Sequence, residues 1–265
     1  MRHRKELPEN REYTVFAGVY DIFMKDIPYE DWACFIKERL LENGISEGLV
    51  CDLGCGSGIM TNLLSDAGYD MTGIDNSSSM LQVAAEKKGD RDILYLDQDL
   101  TEFELYGTMR AFISTCDTLN YITDKKDLKK IFDLVNNYLD PGGLFIFDMH
   151  TVAYYERLGD MVFGDASEEA AYIWANSYDK KKRINVYDLT LFTGEDDGRY
   201  VRSSEVHVEK AYSIVDIKRM IRKSGLELIG MYADYTKKKP GRKSERIVYI
   251  TKLPDETVKK VSADI

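Results

Sequence analysis

The stretch Asp52-Leu53-Gly54-Cys55-Gly56-Ser57-Gly58 decides the fold of this chain. An apolar run at 48–53 leads into it and predicts a buried strand, and a helical pattern at 59–67 follows it. Glycines allow the backbone to turn sharply and to approach a ligand more closely than a Cβ would permit. The succession of strand, glycine-rich turn and helix predicts an α/β domain with a ligand beside the turn.

The alternation of strands and helices continues along the chain. Apolar runs predict further strands at 69–75, 93–96, 110–115 and 144–147, and helical patterns are predicted at 77–88 and after Asp124. The apolar runs are nearly uninterrupted, which is typical of strands that are buried on both faces. They therefore favour a mostly parallel sheet covered by helices on both sides.

The pattern changes after His150. Longer runs at 171–178, 183–192 and 200–211 alternate in polarity, which predicts half-buried antiparallel strands. A helix after Ser213 and strands at 226–231 and 246–250 then return to the first pattern. We expect an N-terminal helical segment at 1–45, an α/β domain at 46–154 and 211–253, an antiparallel β insertion at 155–210 and a tail at 254–265.

Composition limits the classes of function and location. The 265 residues include 36 Lys and Arg against 46 Asp and Glu, a net charge of −10, which disfavours nucleic acid and anionic membranes as partners. The sequence has neither a secretory signal pattern nor a run of about 18 apolar residues, so we expect a cytoplasmic protein. Its four cysteines include no Cys-x-x-Cys pair and no histidine at ligand spacing, so no metal site is expected.

Two acidic residues accompany the glycine-rich turn. Asp75 ends the second predicted strand, where a carboxylate can accept hydrogen bonds from both hydroxyls of a ribose. Asp52 precedes the turn and would repel a pyrophosphate, and Ile59 stands where a dinucleotide-binding protein needs its third glycine. The turn therefore disfavours a nicotinamide cofactor and favours a ligand with a positively charged end.

The pattern acid-x-Gly-x-Gly-x-Gly resembles the first motif of class I S-adenosylmethionine-dependent methyltransferases. Segments 96–100, 115–121 and 141–145 are similar to later motifs of the same family, and the resemblance covers most of the chain. It implies a doubly wound, mostly parallel seven-stranded sheet. It also implies S-adenosylmethionine as the cofactor and S-adenosylhomocysteine as the product.

The resemblance implies roles for individual residues. Asp52 would bind the amino-acid end of the cofactor directly or through water, Asp75 the ribose, and Asp99 the adenine amino group, with Asp97 as the competing assignment. The implied cofactor-binding set is Tyr20, Asp52, Gly54, Cys55, Gly56, Gly58, Asp75, Asn76, Met80, Gln98, Asp99, Leu100, Cys116 and Asp117.

The N-terminal segment 16–24 resembles the helical entry of a bacterial subgroup that acts on small molecules. In that subgroup an aromatic side chain of the segment closes over the cofactor, which implies Tyr20 for this role, with Tyr13 as the alternative. Aromatic side chains of this kind could equally pack against the edge of the sheet. The resemblance continues through the insertion, although its cofactor half is more specific than its substrate half.

The groups that would act on the methyl acceptor remain alternatives. His150, just after the fifth strand, His207 in the insertion and Asp117 are candidate catalytic residues, because a hydroxyl acceptor usually needs a base and a neutral amine does not. If Val206 points into the core of the insertion, His207 faces the cleft or solvent. Asp117 and Asn120 could instead orient the nucleophile.

The sequence therefore predicts a methyltransferase that acts on an oxygen or a nitrogen of a small molecule, as a monomer or a homodimer. The insertion resembles that of sugar-nucleotide N-methyltransferases, which suggests an amino-sugar-like acceptor. The alternatives are a non-catalytic S-adenosylmethionine-binding sensor and a methyltransferase of RNA or protein. Basic clusters at 180–183 and 237–243 are expected to be solvated surface, and a phosphate-bearing substrate is the alternative.

Overall fold

Two β-sheets organise the computed structural model, which describes residues 27–167, 170–195 and 197–255. The strands are β1 (Leu49–Leu53), β2 (Asp70–Asp75), β3 (Leu94–Asp97), β4 (Met109–Ser114), β5 (Leu139–His150), β6 (Val162–Ala166), β7 (Ala170–Asp179), β8 (Ile184–Gly194), β9 (Tyr200–Lys210), β10 (Glu227–Ala233) and β11 (Arg246–Lys252). The α-helices are α1 (Tyr29–Glu42), α2 (Ile59–Asp66), α3 (Ser78–Lys87), α4 (Lys125–Tyr138), α5 (Val152–Leu158) and α6 (Ile214–Lys223). A 3-10 turn spans Thr118–Asn120.

Sheet A contains seven strands in the order β10-β11-β5-β4-β1-β2-β3. Strands β1 to β5 pair in parallel, and β11 runs antiparallel to both of its neighbours, β5 and β10. The direction of winding reverses between β1 and β4, and ligands of such sheets bind outside the carboxyl ends of the strands at this point. Sheet B is antiparallel, in the order β6-β7-β8-β9. The predicted fold, a mostly parallel seven-stranded sheet with an antiparallel insertion, is confirmed.

The start of α4 follows the prediction closely. Asp124 precedes the helix, and its carboxylate accepts a hydrogen bond from the backbone N–H of Lys126 at 2.6 Å. This bond satisfies one of the amide groups that have no partner within the first helical turn. By contrast, β5 starts directly after the helix at Leu139 and is longer than the predicted 144–147.

Two elements, α5 and β6, have no counterpart in the sequence-based prediction. Every residue of β6 is exposed, so the strand has no alternation between apolar and polar residues that could reveal it. The strand is nevertheless held by its antiparallel pairing with β7, from Val162 opposite Ala175 to Ala166 opposite Ala171. Backbone pairing, which hydrophobic patterns do not record, therefore defines this edge of sheet B.

The inner face of sheet B is partly polar. On β9, Glu205, His207 and Glu209 are buried, whereas Val206 is exposed. Val206 therefore does not point into the core of the insertion, and His207 does not face solvent. The buried carboxyl groups are tolerated because hydrogen-bond donors face them. The Tyr155 hydroxyl, for example, donates a hydrogen bond to Glu209 at 2.6 Å.

Helix α1 packs against sheet A with an apolar face. Ile36 and Leu40 of this helix lie in one buried cluster with Val50, Ile113 and Ile146 of the sheet. Residues 1–26 lie outside the described residues. Tyr20 and Tyr13, which are expected to contact the cofactor, belong to this range. Within the described ranges, no helix combines the length and the apolar character that crossing a bilayer requires.

Candidate active site

The glycine-rich turn lies at the carboxyl end of β1, beside the point where the sheet reverses its winding. Gly54 has a φ of +74°, in the left-handed region, and a Cβ at this position would overlap the side chain of Thr118. The Asp75 carboxylate accepts hydrogen bonds from the backbone N–H groups of Gly56 and Ser77, each at 2.9 Å. The turn is therefore fixed both by its own conformation and by the acid at the end of β2.

A cavity of about 380 Å³ opens at this turn and extends to the carboxyl end of β4. The residues implied for cofactor binding that line it are Gly54, Cys55, Gly56, Asp75, Asn76, Met80, Asp99, Leu100 and Cys116. The implied residues that do not line it are Asp52, Gly58, Gln98 and Asp117. The lining also includes residues to which no individual contact was assigned, among them Tyr29 and, from the motif segment 115–121, Thr115, Thr118 and Tyr121.

Two of the residues away from the cavity have clear structural contacts. Gly58 precedes α2 with a φ of +78°, and a Cβ there would collide with the Tyr95 hydroxyl. The side chain of Gln98 accepts a hydrogen bond from the backbone N–H of Glu104 at 2.8 Å. Gly58 thus serves the packing of the turn, and Gln98 fixes the loop after β3.

Asp52 is buried beneath the turn. One of its carboxylate oxygens accepts a hydrogen bond from the Thr61 hydroxyl at 2.7 Å, whereas the other, Oδ1, has no hydrogen-bond donor. Burial raises the pKa of Asp52 to about 7, against the lowering effect of that hydrogen bond. An ammonium group of a ligand would supply the missing donor and a compensating charge.

The two candidate adenine ligands lie in different surroundings. Asp99 lines the cavity, and its Oδ1 also accepts hydrogen bonds from the backbone and the hydroxyl of Thr101, both at 2.7 Å. Asp97 accepts a hydrogen bond from the Ser78 hydroxyl at 2.6 Å and does not line the cavity. The geometry favours Asp99 over Asp97, with a second role for Asp99 in holding its own turn.

The loop after β4 has an unusual backbone conformation. Cys116 and Asp117 are consecutive non-glycine residues with φ values of 56° and 51°, which L-residues seldom adopt. The buried carboxylate of Asp148 accepts a hydrogen bond from each of their N–H groups, at 3.0 and 2.7 Å. It also accepts hydrogen bonds from the Tyr235 hydroxyl and, at 2.6 Å, from Arg246 Nη1. Four donors on one carboxylate therefore hold the strained loop in place.

Arg246 connects the acidic groups of this loop with His150. Its Nη2 atom lies 3.1 Å from Asp117 Oδ1 and 2.8 Å from His150 Nε2. Because a guanidinium only donates, Nε2 accepts here and the ring proton is on Nδ1, which lies 3.4 Å from Asp117 Oδ2. Burial would raise the pKa of Asp117, but the neighbouring His150 and Arg246 hold it below its ordinary value. Both nitrogens of His150 thus face groups of the protein.

No role is predicted for Arg246 from the sequence, although its guanidinium contacts Asp117, Asp148 and His150. A single arginine at the start of a strand carries no pattern of its own, and its partners are about a hundred positions away. Pairing of β11 with β5 brings them together, since Arg246 lies opposite His150 in the register. Only the strand order could have revealed this site residue.

Asn120, in the 3-10 turn after β4, connects the same loop to sheet B. The Asn120 amide donates to the backbone carbonyls of His150 and Lys210, at 3.2 and 2.8 Å, and its oxygen accepts from the His150 N–H at 3.0 Å. All of these bonds go to the main chain, so Asn120 ties the two sheets together rather than orienting a nucleophile. The insertion is thereby fixed beside Asp117.

His207 lies deeper in this interface than expected. Its Nε2 atom is 3.4 Å from Glu205, and its ring meets the ring of Tyr121 edge-on at 6.0 Å. Tyr121 lines the cavity but His207 does not. The structure therefore brings Asp117 and His150 together and leaves His207 behind Tyr121.

Asp117, His150 and Glu209 place potential ligand atoms within 4.8 Å of one another, a spacing that could hold a metal ion. The proton on His150 Nδ1 faces this space, and a metal ligand would need a lone pair there instead. The guanidinium of Arg246, at 3.1 Å from Asp117, also adds a positive charge at its edge. The arrangement favours protons and cationic organic groups over a metal.

Comparisons with known proteins agree with this geometry. A family model described as a methyltransferase domain matches residues 50–143. YqeM of Bacillus subtilis, which carries a provisional name as a methyltransferase, is 32% identical over 240 residues, or 89% of this chain and 95% of that protein. The crystal structure of an S-adenosylmethionine-dependent methyltransferase from Clostridium acetobutylicum is similar with a TM-score of 0.83 and 30% identity, covering 91% of this chain and 99% of that one.

A more distant likeness concerns the fold alone. CalS10, an amino pentose methyltransferase from Micromonospora echinaspora, superposes with a TM-score of 0.71 at 16% identity. The match covers 95% of this chain and all of that chain, so it includes both sheets.

Proposed function

The chain belongs to the class I S-adenosylmethionine-dependent methyltransferases, and from this we propose that it transfers a methyl group to a nitrogen or an oxygen of a small molecule. The observation that carries the proposal is the cavity that runs from the glycine-rich turn to the carboxyl end of β4, with acids along its length. Asp75 and Asp99 lie in its wall, and the unpaired Oδ1 of Asp52 lies beneath the turn. A cofactor with hydroxyl groups, an adenine and an ammonium group fits this set of acceptors.

Each acid would hold one part of the cofactor. We assign the ribose hydroxyls to Asp75, the adenine amino group to Asp99 and the amino-acid end to Asp52. The main chain near Leu100, together with Asn76 and Met80, would contact the adenosine, since all three residues line the cavity. The N-terminal segment at 1–45 would close over the cofactor through Tyr20.

The acceptor would bind between the loop after β4 and the inner face of sheet B. When bound, S-adenosylmethionine supplies an activated methyl group on a positively charged sulfur. The protein must then hold the acceptor atom about 3–3.5 Å from that methyl and in line with it. We expect the charged side chain of Asp117, which follows the cavity-lining Cys116 in this loop, to contact the acceptor.

Three further properties belong to the proposal. The net charge of −10 supports a small molecule rather than a nucleic acid as the substrate. We infer a cytoplasmic protein, in keeping with its four cysteines, all of which are free. We expect a monomer or a homodimer, in which residues 155–210 cover the acceptor.

The test is a screen of metabolite extracts with S-adenosylmethionine labelled on its methyl group. We expect a labelled product of low molecular mass that mass spectrometry identifies, and no label in RNA or protein. Asp75→Ala should lose this transfer, and Asp97→Ala, whose side chain lies outside the cavity, should keep it. Tight cofactor binding without a labelled product from any extract would favour the sensor over the enzyme.

A further inference from the structure

Two carboxyl groups from different sheets meet beside the proposed acceptor position. Asp117 follows β4 of sheet A, and Glu209 lies on the inner face of β9 of sheet B. Their oxygens lie within 4.8 Å of each other and of a nitrogen of His150. The Glu209 residue is 1% exposed, and the side chain of Asp117 is 15% exposed. The pair therefore lies almost wholly out of water.

Among the residues that the structure describes, the surroundings of this pair contain too little positive charge for two carboxylates. The described groups around Glu209 are Asp117, His150, Tyr154, Tyr155 and Tyr187, and Arg246 contacts Asp117. Arg246 already neutralises Asp148 at 2.6 Å, besides contacting Asp117 at 3.1 Å. Two buried carboxyl groups this close cannot both ionise at little cost.

The neighbours decide which of the two acids stays charged. Asp117 has Arg246 and His150 beside it, and these hold its pKa below the ordinary value. Glu209 accepts a hydrogen bond from the Tyr155 hydroxyl at 2.6 Å, and no cation within the described ranges forms an ion pair with it. Burial, followed by the charge of Asp117, raises the pKa of Glu209 well above its ordinary value.

We propose that Asp117 and Glu209 form an acid pair that holds one proton, carried by Glu209, and that the remaining negative charge on Asp117 selects an amine as the methyl acceptor. This inference rests on the proposed function, because it names the acceptor of the same site. Asp117 contacts the acceptor nitrogen, and Glu209 is a positioning residue that acts through Asp117.

The charge movement of the reaction explains why the pair suits an amine. The amine reacts in its neutral form: the lone pair of its nitrogen forms the new N–C bond while the S–C bond breaks, so positive charge moves from the sulfur to the nitrogen. A fixed carboxylate beside the nitrogen interacts most strongly with the positive charge that develops there in the transition state, and this interaction lowers the barrier. The extra proton of the resulting ammonium then leaves to water.

A hydroxyl acceptor would need a proton acceptor at the same place. Asp117 is a weak base because its pKa is lowered, and His150 Nε2 accepts from Arg246. Glu209 already carries its proton. Of the titratable groups that the structure places around the pair, none is therefore free to take the proton of an alcohol.

The proton on Glu209 is tested first, in a measurement that needs no substrate. Glu209→Gln replaces a neutral acid by a neutral amide of the same shape. When folding raises the pKa of an acid, the protein loses stability as the pH rises above the pKa that the acid has in the unfolded chain, about 4.5 for Glu209. We expect the melting temperature of the variant to exceed that of the native protein at pH 8, and the difference to shrink towards zero near pH 4.5.

Glu205→Gln is the matched control. Glu205 lies on the same strand and face and is also buried, but it faces His207 at 3.4 Å. Its replacement should lower the melting temperature at pH 8, because it removes the partner of that imidazole. A Glu209→Gln variant that melts below the native protein at pH 8 would overturn the proposal. Should the variant not fold, the infrared spectrum of the native protein at pH 9 decides, since absence of a protonated carboxyl band refutes the shared proton.

The acceptor is tested on the products of native protein, labelled cofactor and metabolite extract. We expect labelled methyl groups on nitrogen, and Asp117→Asn should lower kcat/KM for that amine at least 100-fold. We also expect the native protein to lose activity at high pH, where Glu209 loses its proton, and we expect Glu209→Gln to lack this loss. Methyl groups on oxygen would refute the choice of an amine while leaving the proposed function intact, whereas the absence of any product would refute the proposed function instead.

Discussion

Asp75 offers the sharpest test of how the cofactor is held. Its carboxylate lines the cavity and receives two backbone hydrogen bonds at 2.9 Å, from Gly56 and Ser77, which orient its oxygens. Each hydrogen bond between a ribose hydroxyl and this charged acceptor is worth about 1.5–3 kcal/mol. Two such bonds are not fully additive, so we expect Asp75→Ala to weaken S-adenosylmethionine binding about 100-fold, or about 2.8 kcal/mol.

Isothermal titration calorimetry measures this change directly. Asp97→Ala is the matched control, since Asp97 ends the neighbouring strand β3, bonds to Ser78 and lies outside the cavity. It should change the dissociation constant less than threefold. Circular dichroism of both variants separates a lost contact from a lost fold. An unchanged affinity in Asp75→Ala, or an equal loss in Asp97→Ala, would refute the reasoning.

Three further predictions concern stability. Asp52→Asn should raise the free energy of unfolding of the cofactor-free protein at pH 8 by up to about 4 kcal/mol, because the raised pKa of Asp52 costs the native protein stability as the pH rises from about 4 to 7. Urea unfolding at pH 5 and pH 8 measures the change, and a gain in stability that is no larger at pH 8 than at pH 5 contradicts the prediction. Gly54→Ala should destabilise the protein by about 1–3 kcal/mol, because residue 54 has a positive φ and its new Cβ overlaps Thr118. Adding Thr118→Gly should restore only part of this stability, since it removes the overlap and leaves the backbone strain. Complete restoration of stability would argue against strain. Arg246→Ala leaves buried carboxylates without their cation, so urea unfolding should show a loss of about 3–5 kcal/mol, and a loss below about 1 kcal/mol would mean that the network is not needed.

The cofactor half of the site could be predicted from sequence because its signals are local. The glycines of the turn, the strand before it and Asp75 at the end of the next strand need only short-range patterns, and Gly54, Gly56 and Asp75 do line one cavity. The assignments of Asp75 to the ribose, Asp99 to the adenine and Asp52 to the amino-acid end stay predictions.

The acceptor half could not be predicted because it depends on contacts between distant parts of the chain. The alternation of β9 leaves open which side faces inward, and the structure turns Glu205, His207 and Glu209 inward and Val206 outward. Hydrophobic patterns assume that the partner surface is apolar. Here the partner surface supplies tyrosine hydroxyls, an imidazole and a loop held by Arg246, which no periodicity reveals.

Asn120 holds together the two ends of the segment that forms sheet B. Its single amide nitrogen donates to the carbonyls of both His150 and Lys210, so the segment between them leaves the main sheet and returns to it at one point. The entropy of closing a loop grows only with the logarithm of its length, and β7, β8 and β9 pair with their sequence neighbours. Sheet A can therefore complete its last strands as though the insertion were a short turn. Insertions of different length or shape could replace this one without changing the register of β11 on β5, so the acceptor could diversify while the cofactor site stays constant.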